Sequence, residues 1–356
     1  MDSPRVTAVV PAFNMERYVE EALLSAIGQT YSQIEILVID DGSTDDTKAV
    51  VERVAKDHSA VRLILTANAG VAAARNLGIQ MARSLYIAFL DADDLWHPLK
   101  IERQVAALAA HGHSVEWGAC YALYRMIDAL DQVLGDGPAS DQRGDFFDEH
   151  LVCNPVGNGS NLLVRRDLAL AVGGFNPDYA RRGIGGCEDL EFQLKLLRRT
   201  RMEVVREYLL GYRLHPAQMS GNVVMMRLGH VAVIEAVSAE CSLPRSLRDR
   251  AMVHGYLTAA KGFLLVRQWR SVMKWLAAAM KLDPLETVRR VTILFREELG
   301  YWPRRLMLRF FPKAPASTMS DRFGTFDPHE RFDDRRGISV KYRSALLGAP
   351  QARSNP

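Results

Sequence analysis

Three short apolar runs, each ending in polar or acidic residues, constrain the fold of this chain more than any other feature. They read VTAVVPAFN at 6–14, VIDD at 38–41 and YIAFLDADD at 86–94. Continuous runs of Val, Ile and Leu are typical of buried parallel strands, and α/β sheets bind ligands at the carboxyl ends of such strands. The sequence therefore predicts one rim carrying Asn14, Asp40, Asp41, Asp91 and Asp93. Such a rim suits a nucleotide whose phosphates carry a metal ion.

The segments between these runs have helical spacing, so that residues 1 to about 110 alternate strand and helix. Strands are predicted at 6–10, 34–39, 61–65 and 85–90. Helices are predicted at 16–29, after a cap at Ser43 or Thr44, and at 70–82. This alternation predicts an α/β fold with a mostly parallel, doubly wound (Rossmann-like) central sheet and helices on both faces.

The rest of the chain is less regular and then becomes helical. Strands are predicted at 115–123 and 161–164, and helices at 166–172 and from Glu188 onward. From about residue 223 the spacing is helical, and 251–283 resembles one weak tetratricopeptide-like hairpin. We therefore expect a domain at 1–220 (halves 1–110 and 111–220), a C-terminal helical extension at 221–312, and a poorly ordered tail at 313–356.

Composition excludes several classes of protein. The chain has 356 residues, 48% hydrophobic and 24% charged, with a formal net charge of +3, which gives no reason to expect a nucleic-acid partner. None of the 4 cysteines forms a C-x-x-C pair, so free thiols in a reducing compartment are expected rather than zinc. Neither a signal peptide nor an apolar run of about 18 residues is visible, so a cytoplasmic location is expected.

Two acidic pairs in the rim have the residue types that metal and nucleotide binding need. Asp91 and Asp93 are two apart in an extended segment and so point the same way, where they can hold Mn2+ or Mg2+ together with substrate phosphates. The competing interpretation is an ordinary acidic turn. In the pair Asp40-Asp41, one carboxylate can cap the next helix while the other accepts hydrogen bonds from a base or ribose.

Three further segments carry candidate groups, and each also has a plain structural interpretation. The small residues at 70–74 would let a ligand approach the backbone, and Arg75 would bring a cation to its phosphates, but a packed helix with a surface arginine fits equally well. Asp189, after a glycine cluster, could be a general base or a partner of the helix dipole. His215 could be a ligand or an ordinary strand histidine.

The order of these motifs closely resembles family 2 glycosyltransferases with the GT-A fold over about residues 4–220. The motifs are VVPAFN, VIDDGSTDDT, GVAAARN, FLDADD, VGGF and GCEDLEF. The resemblance implies an inverting, metal-dependent transferase of the hexosyltransferase type. Such an enzyme moves a sugar from a nucleotide-diphosphate sugar to a hydroxyl of a saccharide or lipid-linked acceptor, in cell-surface polysaccharide synthesis.

The resemblance also implies roles for individual residues. Phe13 would pack by the base and Asp41 would bind uracil, which favours a UDP-sugar. Asp91 would contact ribose and metal, and Asp93 the metal, with Asp94 adjacent. Asp189 would deprotonate the acceptor hydroxyl. Arg213 and His215 would lie near the diphosphate, with His215 a possible metal ligand. The remaining expected substrate-binding residues are Pro11, Asn14, Arg75 and Glu188.

Two other functions compete with this one. A sugar nucleotidyltransferase also uses paired carboxylates, but it usually has a glycine-rich basic loop where this chain has PAFN. A nucleotide-sugar-binding scaffold protein would be favoured if Asp189 lay far from Asp91 and Asp93. The basic residues at 245–313 alternate with aromatic and aliphatic ones, so the C-terminal helices could contact a membrane peripherally or simply pack on the catalytic domain.

Overall fold

The computed structural model describes residues 4–137, 140–182, 185–216 and 218–291. The N-terminal half alternates strictly, in the order β1 Val6–Ala12, α1 Val19–Ile27, β2 Ile34–Asp40, α2 Thr47–Asp57, β3 Val61–Leu65, α3 Val71–Met81 and β4 Tyr86–Phe89. These strands pair in the order β3-β2-β1-β4, all parallel. The predicted doubly wound parallel sheet is confirmed for this half.

The second half adds strands in both directions. Its elements are β5 Leu95–Trp96, α4 Lys100–Ala109, β6 Ala119–Ile127, β7 Val133–Asp136, α5 Phe147–Cys153, β8 Leu163–Arg165, α6 Arg166–Ala171, α7 Asp178–Arg181, α8 Glu188–Leu197 and β9 Met202–Arg213. The sheet continues β4-β8-β6-β9-β5, with β7 beside β6. β8 runs antiparallel to β4 and β6, whereas β6 and β9 are parallel. The sheet is therefore mixed beyond β4.

Two predicted boundaries were wrong for local reasons. α2 begins at Thr47 rather than after Ser43 or Thr44, because Asp45 accepts hydrogen bonds from the Thr47 backbone and hydroxyl and forms its own turn first. β6 begins four residues later than expected. Residues 116–118 are instead bonded to the turn before β9, where the Gly118 amide donates to the Thr200 hydroxyl at 2.7 Å.

The core lies on both faces of the sheet. Val6, Ala8 and Val10 pack on one face with α1, α2 and α4, while the alternate Val9 packs on the other face with α3, α6 and α8. Successive strand residues point to opposite faces, so a strand covered on both sides must be apolar throughout. This explains why the strands are continuous apolar runs and why polar residues begin only where each strand leaves the core.

Helix α3 lies unusually close to β1 because it has a glycine at the contact. A Cβ atom on Gly78 would stand 2.3 Å from Val9 Cγ1. Since real Cβ contacts are never that short, the helix can take this position only with glycine there. This close contact fixes the distance between α3 and the sheet. It therefore also fixes the position of Arg75, one turn before Gly78.

The C-terminal helical extension is confirmed and is packed on the sheet domain. It consists of α9 Val223–Glu240, α10 Arg245–Leu265 and α11 Trp269–Leu282. Leu190 and Leu194 of α8 share a core with Val233 and Ile234 of α9. α10 and α11 form the expected hairpin, in which the Tyr256 and Trp275 rings are 5.3 Å apart. Because α9 joins the core of α8, a division of the chain at residue 220 stays a prediction.

The predicted tail at 313–356 and the part of the basic segment at 245–313 that follows Val291 lie outside the described residues. Over the ranges that the structure covers, every helix is too short or too polar to cross a bilayer.

Candidate active site

A cavity of about 790 Å³ opens at the carboxyl ends of β1, β2 and β4. Its lining includes these residues predicted from the sequence: Pro11, Phe13, Asp41, Arg75, Asp91, Asp93, Glu188 and Asp189. Asn14, Arg213 and His215 are not part of that lining and lie behind it. Most of the predicted site therefore comes together in one cavity, although its members are as far apart as 178 positions in the chain (11 to 189).

The end of β1 presents one aromatic ring to the cavity and anchors a loop. Phe13 is 43% exposed, which is unusual for a large apolar side chain beside a core. Asn14 has a left-handed backbone (φ 53°), and its side-chain oxygen accepts a hydrogen bond from the Thr44 amide at 2.8 Å. Asn14 thus holds the 43–44 loop in place beside Phe13.

The end of β2 carries two buried carboxylates with separate partners. Asp40 accepts a hydrogen bond from the Ser43 amide at 2.9 Å, which closes the turn. Asp41 accepts from the Ala69 and Gly70 amides at 2.9 and 2.7 Å, so it secures the start of α3 while still lining the cavity. Asp40 therefore closes its own turn rather than capping α2, which begins later at Thr47, and Asp41 joins the end of β2 to the start of α3.

Three carboxylates follow the end of β4, and each has different surroundings. Asp91 pairs with Arg75, and Asp93 Oδ2 lies 2.9 Å from His215 Nε2. Asp94 is fully buried and accepts hydrogen bonds from the Ser160 hydroxyl at 2.6 Å and the Arg213 amide at 2.9 Å. Burial, followed by the charges of Asp93 and Asp91, raises the pKa of Asp94 well above its usual value. Asp94 shapes the turn, whereas Asp91 and Asp93 face the cavity.

Arg213, near the end of β9, supports that turn from behind. Its Nε donates to the Asp93 backbone carbonyl at 2.7 Å, and its guanidinium also pairs with Asp131 at 2.5 Å and Glu21 at 3.1 Å. The guanidinium lies over the Tyr18 ring, 5.0 Å from its centroid. Because Arg213 is only 1% exposed, it acts on the cavity through the position of Asp93.

The donors available for a divalent cation are limited but chemically suitable. Among the described residues, no three His, Cys, Asp or Glu side chains gather in a metal-binding group. Mg2+ and Mn2+ commonly use one or two carboxylates and take their other ligands from substrate phosphates and water. Asp91 and Asp93, with the His215 imidazole next to Asp93, therefore fit a cation that arrives with a phosphate-bearing ligand.

Arg75 is a buried member of the site, which excludes the surface interpretation. It is 3% exposed and pairs with Asp91 at 2.5 Å and Glu188 at 3.0 Å. Its guanidinium also lies 5.1 Å from the centroid of the Phe175 ring. Burial alone would lower the pKa of Arg75, but the charges of Asp91 and Glu188 outweigh burial and raise it. Arg75 therefore joins the β4 end to the start of α8.

Asp189 has the electrostatic character of a general base. It stands in the first turn of α8 and lines the cavity. Burial raises its pKa, the neighbouring Glu188 raises it further and Arg75 opposes both, so that the pKa is about 7. Glu188 is already bound to Arg75 and accepts from the Gly186 amide at 3.1 Å. A carboxyl group that titrates near neutral pH inside a cavity is well suited to accept a proton.

The far side of the cavity is made of residues that the sequence did not point to. This helical wall, as we call it, consists of Met226, Arg227, His230 and His254. It reaches the cavity because Gly229 packs on the loop before Asp189, where an added Cβ would meet the Gly185 carbonyl oxygen at 3.2 Å. No local motif marks these residues, since they belong to helices beyond the recognised motifs.

Solved structures share the fold. The chain superimposes on Staphylococcus aureus TarS 1-349 in complex with UDP-GlcNAc with a TM-score of 0.59, at 17% identity, over 78% of this chain and 81% of that one. It matches the mannosyltransferase PcManGT from Pyrobaculum calidifontis, in complex with GDP-Man and Mn2+, with a TM-score of 0.57, at 20% identity, over 90% and 85% of the two chains. These likenesses establish a GT-A-like fold.

Sequence comparison establishes the family. Residues 7–155 match the model of glycosyl transferase family 2. An uncharacterized glycosyltransferase of Haemophilus influenzae is 30% identical over 228 residues, which is 61% of this chain and 68% of the relative. The chain spans less than half the length of several other similar glycosyltransferases. The motifs, the fold and these matches agree, and the chain belongs to glycosyl transferase family 2.

Proposed function

We propose that this protein moves a sugar from a nucleotide-diphosphate sugar, with a UDP-sugar favoured, to a hydroxyl group of a saccharide or lipid-linked acceptor, and that it inverts the anomeric centre. One observation carries the proposal. Asp189, with a pKa of about 7, lines the same cavity as Asp91 and Asp93, so a proton acceptor and a diphosphate-binding pair face one ligand.

The donor would lie along the strand ends. The exposed Phe13 ring, beside Pro11, offers a stacking surface for the base. Asp41 and the backbone at the start of α3 would contact the base and ribose, and Asp91 would contact the ribose; all of them line the cavity. Of the two neighbours that bind donors, one holds UDP-GlcNAc and the other GDP-Man, so the preference for uracil rests on Asp41 alone.

Asp93, with Asp91 and His215, would hold Mn2+ or Mg2+ when the donor binds. Such a cation supplies positive charge that stabilises the leaving diphosphate. Arg213 keeps Asp93 in position through its backbone carbonyl. Arg75 is already neutralised by Asp91 and Glu188, so its role is to position those carboxylates rather than to add free charge.

Asp189 would accept the proton of the attacking hydroxyl group. The acceptor oxygen then forms a bond to C1 of the sugar, while the bond from C1 to the phosphate oxygen breaks and its electron pair leaves with the nucleoside diphosphate. The nucleophile approaches from the face opposite the leaving group, so the configuration at C1 inverts. Because Glu188 is held by Arg75 and the Gly186 amide, Asp189 is the carboxylate available for this proton.

The helical extension supports the proposal of peripheral contact with the cytoplasmic face of a membrane, as a lipid-linked acceptor would need. α11 and the residues after it expose large apolar side chains, namely Trp269, Met273, Met280, Leu285 and Val288. Arg270, Lys274, Lys281 and Arg289 lie among them in the sequence. Apolar groups surrounded by basic ones suit an anionic membrane interface.

A donor screen tests the function. The protein is incubated with Mn2+ and a panel of UDP-, GDP- and TDP-sugars, and released nucleoside diphosphate is measured against the Asp189→Asn variant. We expect slow hydrolysis of at least one donor. Binding of a donor with no release under any condition would favour the scaffold protein. Pyrophosphate released from a nucleoside triphosphate and a sugar phosphate would favour the nucleotidyltransferase.

A further inference from the structure

The two arginines that line the cavity differ in their partners. Arg75 is neutralised by two carboxylates. The guanidinium of Arg227, on the helical wall, forms no ion pair or hydrogen bond with any residue in the described ranges. Burial lowers the pKa of Arg227, and the neighbouring Cys187 opposes this only in part. A partly buried cation without a partner is costly, so a ligand that supplies negative charge would be stabilised there.

A second unsatisfied group lies beside Arg227. His230, one turn further along α9, is 8% exposed, lines the cavity, and its Nε2 has no hydrogen-bond partner among the described residues. Burial and then the charge of Arg227 lower the pKa of His230 to about 4, so the imidazole is neutral at pH 7. An unpaired polar atom at this depth is also costly. One negatively charged ligand would therefore satisfy both Arg227 and His230, which are neighbours on the same helix.

His254 on α10 completes this part of the wall, and its contact with Arg290 determines which ring nitrogen carries the proton. Arg290 Nη1 lies 3.0 Å from His254 Nδ1. Because an arginine can only donate, Nδ1 must accept, and the proton of the neutral imidazole is then on Nε2. The His230 and His254 rings are in edge-to-face contact, 5.9 Å between centroids. His254 therefore adds a hydrogen-bond donor next to His230.

The packing leaves room for the arginine side chain. A Cβ on Gly262 would stand 3.0 Å from Arg227 Cγ, so α10 approaches the stem of Arg227 as closely as a glycine allows. Among the ion pairs of the described residues, neither Asp189 nor Glu188 pairs with Arg227, although all three line the cavity. The donor carboxylates Asp91 and Asp93 belong to the opposite, strand-end side.

We propose that Arg227, His230 and His254 form an anion subsite for the acceptor and bind a phosphate group that the acceptor carries. This rests on the proposed transferase function, since Asp189 lines the same cavity as the strand-end carboxylates and the helical wall. The donor diphosphate belongs with the metal-binding carboxylates at the strand ends. An anionic group bound at the helical wall therefore belongs to the molecule whose hydroxyl group meets Asp189.

Binding of inorganic phosphate to the full chain tests the subsite without any transfer reaction. The titration is followed by calorimetry, with chelator present so that no metal-linked diphosphate site contributes. Arg227→Gln should weaken phosphate binding about tenfold or more, the effect of losing a charged hydrogen bond, while Arg227→Lys should stay within a fewfold of the wild type. Arg250→Gln is the matched control, because Arg250 is an exposed arginine on α10 outside the cavity.

An Asp93→Asn variant, titrated with Mn2+ in place of the chelator so that a metal-linked site can form, separates the two sources of phosphate. Unchanged phosphate binding in this variant supports the helical wall, whereas a loss equal to that of Arg227→Gln would place the phosphate at the donor diphosphate side and overturn the proposal. Equal binding by the wild type and Arg227→Gln would also overturn it.

If Arg227→Gln does not fold, His230→Leu tests the same subsite and should weaken binding severalfold. A protein that hydrolyses a donor but binds no phosphate contradicts the subsite alone, whereas one that binds phosphate at the wall but hydrolyses no donor contradicts the proposed function.

Discussion

At the scale of single residues, adjacent carboxylates do different things because their surroundings differ. Asp93 faces the cavity while Asp94, the next residue, is buried against Ser160 and the Arg213 amide. Glu188 is held by Arg75, whereas Asp189 keeps a raised pKa. Within each pair the residue type is the same or similar, so the role is assigned by neighbours that come from other parts of the chain.

Replacing Asp189 tests the proposed base. Asp189→Asn keeps the size of the side chain but cannot accept a proton, so we expect kcat to fall about 10²- to 10⁴-fold, with little change in donor affinity. Steady-state kinetics and a donor titration measure the two quantities. Near-normal turnover would move the role to another residue.

The same carboxyl group sets the pH dependence. Because burial raises the pKa of Asp189 to about 7, the base is protonated below that pH, and kcat/KM should rise through about pH 7 and then level off. The raised pKa also means that stability contributed by the protonated group is complete below the unfolded value of 3.8 and is lost as the pH rises through about 7. The thermal stability of Asp189→Asn relative to that of the wild type should therefore increase as the pH rises from 3.8 to about 7. A rate that falls through pH 7 contradicts the assignment.

The metal is tested at Asp93. Chelator should abolish activity and Mn2+ or Mg2+ should restore it, and Asp93→Asn should raise the metal concentration needed for half-maximal activity about tenfold or more. Asp57→Asn is a suitable control because Asp57 is exposed at the end of α2. Full activity in excess chelator would show that the carboxylates act without a cation.

At the scale of elements, glycines decide how closely helices approach their neighbours. Gly78 lets α3 settle on β1, and Gly229 lets α9 reach the loop before Asp189. These contacts set the distance between Arg75 on α3 and Glu188 on α8, and they bring the helical wall to the cavity. Small residues in helices here serve the geometry of the site as well as the core.

Gly78→Ala tests this at the α3–β1 contact. Alanine favours a helix over glycine by up to about 1 kcal/mol, but a methyl group 2.3 Å from Val9 Cγ1 overpacks the core and should cost about 1–3 kcal/mol. We expect net destabilisation in urea unfolding, with lower activity because Arg75 shifts. The double variant with Val9→Ala should lose less than the sum of the single changes. Gly135→Ala is the control, since its Cβ would make an ordinary 3.5 Å contact with Met126. Equal free energies of unfolding for the two alanine variants would show that the Gly78–Val9 contact does not need glycine.

At the scale of the whole molecule, the cavity is closed by parts that the strand–helix alternation did not include. The N-terminal parallel strands supply the donor side, the mixed second half supplies Asp189, and the extension supplies the helical wall. The exposed apolar residues of α11 lie on that same extension. The proposed membrane contact and the proposed acceptor subsite therefore belong to one helical unit.

Membrane contact is tested on the whole protein. Vesicles that contain anionic lipid should sediment the protein at low salt, and removal of the residues from Glu286 onward should abolish this, because it removes the exposed Val288 and the basic residues that follow Glu286 in the sequence. Trp269→Ser combined with Met273→Ser should weaken it, since both side chains are more than 60% exposed. Equal sedimentation with neutral vesicles, or none with either kind, would remove the membrane proposal and leave the transferase assignment in place.

The sequence by itself determined the strand ends and the residue types that stand on them. Apolar runs and the residues that end them are short-range features, so β1 to β4, their parallel direction and a rim carrying Asp41, Asp91 and Asp93 could be predicted from them. Asn14 and Asp40 were expected on the same rim, but neither lines the cavity, and Phe13 was indicated only by the family resemblance. The motif order also predicted the family, which the comparisons confirm. The roles of the individual site residues stay predictions until the variants are measured.

Only the tertiary structure decided which side chains are held by partners and which are left free for a ligand. His215 reaches Asp93 across 122 positions of sequence, and Arg75 reaches Glu188 across 113. The antiparallel insertion of β8 and the docking of α9 also depend on such long-range contacts. Contacts of this kind depend on how helices and strands pack rather than on any local pattern. This is why the charge of Arg227, which has no partner within the described part of the chain, could be seen only in the folded protein.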